Sequence, residues 1–390
     1  MLSTVGMGVQ GLARFLYTIF IGRIAGEEAL ADASALLSVS VWLALATPSA
    51  LGVAASRFLP SGEYAASAAR QLNRWFWISA PALALISVPV SIWLVKDVVT
   101  AVACAALVFT YNAYVYTRGA MMGEDRILRA TLADTISSII AVSALALVLF
   151  AGWNWALLLP LAIGYGTFAL LTRPRTEPSQ VPDHDRRLFF RFVRDSVIGG
   201  LAVGGLLPTT MIFVRAFDTP LNAGLFAAAL SLATPANMIA QAVNQVLVPH
   251  FARMANDASA LMRSQLRMFL ASTALFAVTF GVLAVFAPLI LSLVYGANYH
   301  DGAAAMQALL GIVFLISATS SPAAYLVANG RQRDYAMIWL AALIVGSLMM
   351  LLLSPALGAQ GALIGYGIGG GGGAVAIIVW GNLLAWRRAK

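Results

Sequence analysis

The fold is decided by long apolar stretches, of which the clearest is Trp75–Val95, WFWISAPALALISVPVSIWLV, with 21 residues and no charged side chain. A helix of this length rises about 30 Å at roughly 1.5 Å per residue, which matches the hydrocarbon thickness of a bilayer. Of the 390 residues, 61% are hydrophobic and 10% are charged, whereas a soluble domain carries about 25% charged residues. The composition therefore predicts an all-α, polytopic membrane protein.

Similar stretches lie on both sides of this one, separated by charges or by Gly, Pro and Asn residues. Cutting the sequence at these points predicts about twelve transmembrane helices. In the first half they are Leu2–Ile21, Leu30–Phe58, Trp75–Val95, Val98–Arg118, Ile127–Phe150 and Trp155–Leu171. In the second half they are Ser196–Val214, Ala223–Val248, Met268–Tyr295, Ala303–Val327, Tyr335–Leu353 and Gly361–Trp386.

The longest polar segment, 173–194, divides the chain into two predicted six-helix lobes, residues 1–172 and 195–390. Placing both termini and this connector in the cytoplasm puts 20 of the 24 Lys and Arg residues on the cytoplasmic side, as the positive-inside rule requires. These cations are spread over alternate loops, whereas nucleic-acid binding needs them clustered on one folded face. We therefore predict a multi-pass protein of the cytoplasmic (inner) membrane that binds no nucleic acid.

Short motifs recur in the two halves. Leu45-Ala46-Thr47-Pro48 in the second predicted helix matches Leu232-Ala233-Thr234-Pro235 in the eighth. Because each half has an even number of predicted helices, the repeat is expected to be parallel, with an axis along the membrane normal. Chance similarity between Ala- and Leu-rich helices is the alternative.

The sharpest functional signal is a polar stripe on the eighth predicted helix. At about 100° per residue its members fall within one arc of the helix. They are Thr234, Asn237, Gln241, Asn244 and Gln245. Carboxamides are costly in lipid, so this face must meet protein or water. Interhelical hydrogen bonds of about 0.6 kcal/mol each are one explanation, but the length of the stripe favours a cavity wall that binds a polar substrate.

The first predicted helix carries a similar stripe that includes Gln10 and Arg14. An arginine near mid-membrane costs about 2.5–3.5 kcal/mol, so Arg14 needs a counter-charge, a water-filled cavity or an anionic ligand. Asp134 or Asp32 could supply the counter-charge. Asp134, in the fifth helix, is also a candidate for proton or Na⁺ coupling, with neutralisation of Arg14 or snorkelling to the interface as alternatives.

Other clusters carry weaker signals. Tyr111, Tyr114 and Tyr116 near the end of the fourth helix favour an interfacial aromatic belt over a sugar-stacking surface. The run Gly369–Gly373 lacks a following Lys-Ser/Thr and indicates a closely packed or flexible helix segment, not a phosphate-binding loop. The single cysteine, Cys104, excludes a disulfide within the chain and a thiolate metal cluster. We expect no metal, no cofactor and no catalytic residues.

Four segments resemble polysaccharide-biosynthesis flippases. They are Ile21-Gly22-Arg23-Ile24-Ala25-Gly26, Leu51-Gly52-Val53-Ala54-Ala55-Ser56-Arg57, Val294-Tyr295-Gly296-Ala297-Asn298-Tyr299 and Gly358-Ala359-Gln360-Gly361-Ala362. With the helix count and spacing, the similarity covers nearly the whole chain. It points to the multidrug/oligosaccharidyl-lipid/polysaccharide (MOP) exporter superfamily, and in particular to its O-antigen-type branch.

The resemblance implies two six-helix lobes around a central cavity, and movement of a lipid-linked oligosaccharide to the outer leaflet by alternating access. Relatives that carry a lipid-linked peptidoglycan precursor hold its pyrophosphate with cavity arginines, and Arg14, Arg23 and Arg57 lie on the matching first two helices. Twelve predicted helices instead of fourteen depart from that branch, which leaves the glycan open.

The predicted substrate-binding residues are therefore these three arginines and the carboxamides of the two polar stripes. They are Arg14, Arg23, Arg57, Gln10, Asn237, Gln241, Asn244 and Gln245. The expected partners are a lipid-linked glycan and the bilayer, and glycan-assembly enzymes are further candidates.

Two other functions compete with a flippase. A cation-coupled multidrug exporter of the same fold would favour acidic cavity residues, of which Asp134 is the clearest. A membrane-embedded glycosyltransferase or polymerase would need an acid/base pair or a sizeable outer loop, and the predicted outer loops are short.

Overall fold

The computed structural model describes residues 2–60, 65–174, 186–253 and 258–389. Every regular element in these ranges is a helix, which confirms the all-α prediction. The chain divides into two compact units, Met1–Ile212 and Phe213–Lys390. Residues 175–185 of the predicted connector lie outside the described ranges, so the division into lobes at 173–194 stays a prediction.

Eight α-helices lie in the first unit, and a ninth crosses its boundary at Ile212. The eight are α1 (Leu2–Phe20), α2 (Gly26–Ala46), α3 (Pro48–Phe58), α4 (Ala65–Val95), α5 (Val98–Gly123), α6 (Ile127–Phe150), α7 (Leu159–Leu171) and α8 (Arg186–Gly204), and the ninth is α9 (Leu206–Phe217). A π-helical turn, Ile21–Ala25, follows α1, and a 3₁₀ turn, Asn154–Ala156, precedes α7.

The first two predicted spans form one helical stretch, Gly8–Ala46, of 39 residues. At roughly 1.5 Å per residue this stretch would be about 58 Å long, nearly twice the thickness of the hydrocarbon core. Gly26, with φ of 89°, interrupts it in a backbone conformation that glycine adopts without a steric penalty. The chain can therefore change direction at Gly26, between α1 and α2.

Packing against α5 and α6 shows that the chain does reverse there. Along α1, Gly6 lies at Thr131 and Gln10 hydrogen-bonds Ser137, so α1 runs parallel to α6. Along α2 and α3, Leu36 lies at Cys104 and Gly52 at Gly119, so this arm runs parallel to α5. Because a short turn makes α5 and α6 antiparallel, α1 and α2–α3 are the two arms of a hairpin.

Glycine and proline account for the other breaks in the first unit. Pro48 begins α3 directly after Thr47, which interrupts the second arm of the hairpin. The helices α8 and α9 meet at 58° around Gly205, where Gly204, Gly205 and Pro208 lie close together in the sequence. Gly52 and Gly119 bring the backbones of α3 and α5 into direct contact, since a Cβ on Gly119 would overlap the Gly52 backbone.

The core of the first unit extends to α8. Phe189 is buried and packs on Phe58 of α3, with 5.9 Å between the ring centroids. Leu51, Leu72 and Phe76 complete this aromatic and aliphatic cluster between α3, α4 and α8. The start of α8, which lies within the predicted connector 173–194, is thus packed on α3 and α4.

The second unit contains the remaining helices. They are α10 (Pro220–Arg253), α11 (Ala258–Val285), α12 (Ala287–Val294), α13 (Ala303–Ala318), α14 (Ser320–Ala328), α15 (Gln332–Leu357), α16 (Ala359–Tyr366) and α17 (Gly372–Ala389). A 3₁₀ turn, Ala297–Gly302, and a π-helical turn, Gly367–Gly371, lie before α13 and α17.

The five-glycine run is a packing surface within this unit. A Cβ on Gly369 would lie 2.6 Å from the carbonyl oxygen of Ala342 and 2.7 Å from Cα of Gly346. The π-helical turn therefore rests directly on the backbone of α15, and side chains at Gly369 or Gly373 would push the two helices apart. This confirms the interpretation of Gly369–Gly373 as a closely packed helix segment.

The chain is a multi-pass membrane protein. Among the described residues, nine helices are long and apolar enough to cross a membrane, and the bent pair α8–α9 raises the number to ten. The Gly8–Ala46 hairpin counts as a single stretch in that number. The 34-residue helix α10 is not included in it, although its segment Pro220–Thr234 is apolar. The count of twelve and the cytoplasmic placement of both termini stay predictions.

Candidate substrate cavity in the first unit

A cavity of about 410 Å³ opens between α1, α3, α5 and α7. Its lining combines polar side chains with small residues that keep the space open. The lining residues are Gln10, Arg14, Ser49, Gly52, Val53, Ser56, Tyr111, Tyr114, Val115, Arg118, Gly119, Met122 and Tyr165. Two of the predicted substrate-binding residues, Gln10 and Arg14, therefore share one cavity.

Arg14 is half-buried in this lining, and an aromatic ring is its nearest charge-stabilising neighbour. Its guanidinium carbon lies over the Tyr111 ring, 5.4 Å from the centroid. In the described part of the chain, no carboxylate lies within ion-pair distance of Arg14. The expected pairing of Arg14 with Asp134 or Asp32 is wrong, and the charge of Arg14 remains available to the cavity.

Asp134 is instead the partner of Arg118. The Arg118 Nε atom lies 3.3 Å from Asp134 Oδ2, and the Tyr114 hydroxyl donates to Oδ1 at 3.2 Å. Asp134 is 0% exposed, so snorkelling to the interface does not occur. The pair neutralises Arg118 within the wall, because a buried carboxylate with both oxygens engaged compensates one arginine.

The close approach of α1 to α6 makes this arrangement possible. A Cβ on Gly6 would lie 2.5 Å from Asp134 Oδ2, so only glycine fits there. One turn later, the Gln10 side-chain amide donates to Ser137 Oγ at 2.7 Å and to the Asp134 carbonyl at 3.3 Å. These contacts fix the register of α1 on α6, and with it the position of Arg14 one further turn along.

Three tyrosines close the cavity on the side of α5 and α7. The Tyr165 ring lies 5.0 Å from Tyr111 and 4.9 Å from Tyr114, centroid to centroid. Tyr165 is 2% exposed, and its hydroxyl has no hydrogen-bond partner among the described residues. The predicted interfacial belt is therefore wrong for Tyr111 and Tyr114, which face the interior of the unit.

The electrostatics of the cavity are positive. Among the described residues, its lining holds two arginines and no carboxylate, and Asp134, behind the wall, offsets the charge of Arg118. Arg14 is thus an uncompensated cation at a depth where its cost is about 2.5–3.5 kcal/mol. A cavity of this kind can hold an anion by charge-assisted hydrogen bonds.

The remaining predicted site residues lie elsewhere. Arg23 is exposed in the π-helical turn, and Arg57 is exposed with its guanidinium 4.5 Å from the centroid of the Phe192 ring. Neither lines the cavity. The side chains of Asn237, Gln241, Asn244 and Gln245 lie outside the described residues, although their backbone belongs to α10. Substrate roles for these residues stay predictions.

Sequence reasoning did not single out Tyr165 or Arg118 as cavity residues. Tyr165 stands in a short apolar helix with no polar pattern, whereas Tyr111, Tyr114 and Arg118 follow one face of α5 at spacings of three and four residues. That spacing was a signal for a polar inner face. No group of three or more His, Cys, Asp or Glu side chains is placed to hold a metal ion in the part of the chain that the structure describes.

A family model described as a polysaccharide biosynthesis protein matches residues 75–304, which is more than half of the chain. The chain belongs to this polysaccharide biosynthesis protein family. A search of curated protein sequences found no match for this polysaccharide biosynthesis protein.

Solved structures with the same fold come from the MOP superfamily. An inward-facing multidrug resistance MATE family transporter aligns with a TM-score of 0.79 and 15% identity, over 99% of this chain and 98% of that chain. The lipid II flippase MurJ in an inward closed conformation aligns with a TM-score of 0.73 and 11% identity, over 98% of this chain and 89% of that chain. A MOP superfamily transporter from Pyrococcus furiosus aligns with a TM-score of 0.59 and 15% identity, over 100% of this chain and 95% of that chain. That transporter is described as having a binding pocket of reversed polarity. These likenesses confirm the predicted MOP fold.

Proposed function

We propose that the chain is a flippase that moves a polyprenyl-pyrophosphate-linked oligosaccharide across the cytoplasmic membrane by alternating access. Membership of the polysaccharide biosynthesis protein family supports a glycan as cargo. The likeness to a lipid II flippase supports a fold that can move a lipid-linked molecule. The cavity of the first unit supplies the charge that such a molecule requires.

The observation that carries the proposal is Arg14. It lines the cavity, its charge has no described carboxylate partner, and its stacking on Tyr111 leaves the planar group available for hydrogen bonds. A guanidinium binds phosphate oxygens in a bidentate manner, and such bonds are stronger than neutral ones. A pyrophosphate would supply the counter-charge that the protein lacks at this position.

The other groups of the cavity have distinct roles in this proposal. Gln10 holds α1 on α6 and so positions Arg14, while the Tyr165 ring forms part of the wall beside Tyr111. Arg118 shapes the wall as half of an ion pair. The carboxamides of α10, Asn237, Gln241, Asn244 and Gln245, are proposed to bind sugar hydroxyls.

A cation-coupled multidrug exporter is the second candidate, because the fold is also that of a multidrug resistance MATE transporter. The charges of the cavity favour an anionic cargo over a cationic drug, since Asp134 offsets Arg118 and Arg14 has no carboxylate partner among the described residues. Asp134, the candidate coupling residue, is engaged by Arg118 and Tyr114. An ion-coupling role for Asp134 would require this pair to open.

Complementation tests the proposal directly. In cells that lack the chromosomal copy of this gene, wild-type protein should restore surface polysaccharide, and Arg14→Ala should lower it at least about tenfold, because a charge-assisted hydrogen bond contributes about 1.5–3 kcal/mol. Arg14→Lys should retain part of the activity.

Arg194→Ala is the matched control, since Arg194 is exposed and bonded to Asp195. Full export by Arg14→Ala, at wild-type membrane levels, would refute the pyrophosphate role. Drug resistance conferred on an efflux-deficient host would favour the second candidate.

A further inference from the structure

A second recess, larger than the substrate cavity, lies on the opposite side of α5. It has a volume of about 550 Å³ and lies between α4, α5 and α7. It shares no lining residue with the cavity that contains Arg14. The proposed function does not use this recess, which is called the outer groove below.

The floor of the outer groove is apolar and aromatic. Phe76 and Tyr116 stack at 4.7 Å, and Trp77 lies 6.1 Å from Phe109, centroid to centroid. Trp77 is 58% exposed, so the groove opens outward from the unit. Gly166 leaves its middle empty, because the nearest atom to a Cβ there would be Thr110 Cγ2 at 3.5 Å.

One end of the outer groove is polar. Asn73 near the start of α4 and Arg173 just after α7 both line it. The short connections between α4, α5, α6 and α7 place the start of α4 and the ends of α5 and α7 on the same side of the unit. Within the described residues, Arg173 has no ion-pair partner. The outer groove thus has an apolar body with a cation at one membrane-facing end.

We propose that the outer groove binds one anionic phospholipid of the surrounding bilayer. Its phosphate lies on Arg173 and Asn73, and an acyl chain follows Phe76, Trp77 and Phe109. Basic pockets between transmembrane helices attract anionic head groups, and an arginine at a helix end extends its charge toward the head-group layer. An arginine with no ion-pair partner among the described residues favours a lipid of net negative charge, because the choline cation of a zwitterionic lipid would offset the attraction of its phosphate.

Native mass spectrometry of the purified full chain tests the proposal with phosphatidylglycerol and phosphatidylcholine as probes. Wild-type protein should retain one more phosphatidylglycerol than phosphatidylcholine. Arg173→Ala should weaken that binding about tenfold, because it removes a charge-assisted contact. Gly166→Leu should abolish it by filling the floor with a side chain.

Two controls keep the test decisive. Gly166→Ala places only a methyl group at ordinary contact distance from Thr110 and should bind as wild type. Arg194→Ala removes an exposed arginine outside the groove and should also bind as wild type. If Gly166→Leu does not fold, Arg173→Ala decides alone. Unchanged preference for phosphatidylglycerol in Arg173→Ala, or in folded Gly166→Leu, overturns the proposal.

Discussion

Arg14 and Arg118 line the same cavity, yet the protein treats their charges in opposite ways. Arg118 lies 3.3 Å from the buried carboxylate of Asp134, which also accepts from Tyr114. Arg14 has the face of Tyr111 and no described carboxylate. A paired arginine stabilises the wall, whereas an unpaired one costs free energy unless something else supplies the negative charge. This difference suggests a structural role for Arg118 and a ligand-binding role for Arg14.

The largest expected effect on stability comes from removing the carboxylate of the paired arginine. Asp134→Ala leaves Arg118 without compensation and should lower the free energy of unfolding by about 3–5 kcal/mol. Thermal unfolding of the purified protein measures the loss. The double variant Asp134→Ala/Arg118→Met should recover part of the lost stability, because it leaves no unpaired charge in the wall. Equal stability of Asp134→Ala and wild type would show that the pair does not hold the wall together.

A smaller effect is expected where α1 presses on this pair. Gly6→Ala places a methyl group 2.5 Å from Asp134 Oδ2 and 3.3 Å from the Thr131 backbone, and such overpacking costs about 1–3 kcal/mol. Gly8→Ala is the matched control, since no atom lies within 4 Å of a Cβ there. Gly8→Ala should be neutral in the same unfolding assay, and two variants of equal stability would contradict the close packing of α1 on α6.

Arg14 should behave differently from Arg118 in the same assay. Arg14→Met removes a cation–π contact of about 0.5–1 kcal/mol and also removes a charge that is costly in the membrane. The stability of Arg14→Met should therefore stay near that of wild type while export is lost. A stability loss as large as that of Asp134→Ala would place Arg14 among the structural residues.

The smallest effect concerns a carboxylate outside the membrane. Asp97 caps α5 by accepting from the backbone amides of Val99 and Thr100, and the hydrogen bonds from Thr100 lower the pKa of this carboxyl below its ordinary value. A lowered folded-state pKa means that the contribution to stability is present above the unfolded pKa, about 3.9, and is lost as pH falls through the folded value. Asp97→Asn should flatten this acid dependence, measured by unfolding between pH 5 and pH 3; an unchanged profile would contradict the cap.

Most helices could be predicted from sequence because they depend on local chemistry. Apolar stretches and the packed run Gly369–Gly373 are encoded within a few residues, whereas the second span was predicted as one helix, Leu30–Phe58, without the break that the structure shows at Thr47-Pro48. Arg14 was also visible, since one charge in an apolar helix is conspicuous whatever surrounds it.

The partners of these residues could not be predicted in the same way. Arg118 and Asp134 lie on two antiparallel helices, and their pairing depends on which faces of α5 and α6 meet. Sequence reasoning offered Asp134 or Asp32 as possible counter-charges for Arg14, because it had the charges but not the helix faces that meet. Tyr165 was missed for a similar reason, since its hydroxyl becomes notable only when α7 places it beside Tyr111 and Tyr114.

Thiol protection at Ser49 tests the central claim, that the cavity of the first unit holds an anionic head group on Arg14. Ser49 lines the cavity, and the only native cysteine, Cys104, is buried and can be replaced by alanine. We predict that Ser49→Cys reacts with a membrane-impermeant thiol reagent, that lipid-linked oligosaccharide pyrophosphate slows the reaction, and that Arg14→Ala removes this protection without reducing the labelling. A cysteine that does not react in folded protein, or protection that persists in Arg14→Ala, would contradict the account.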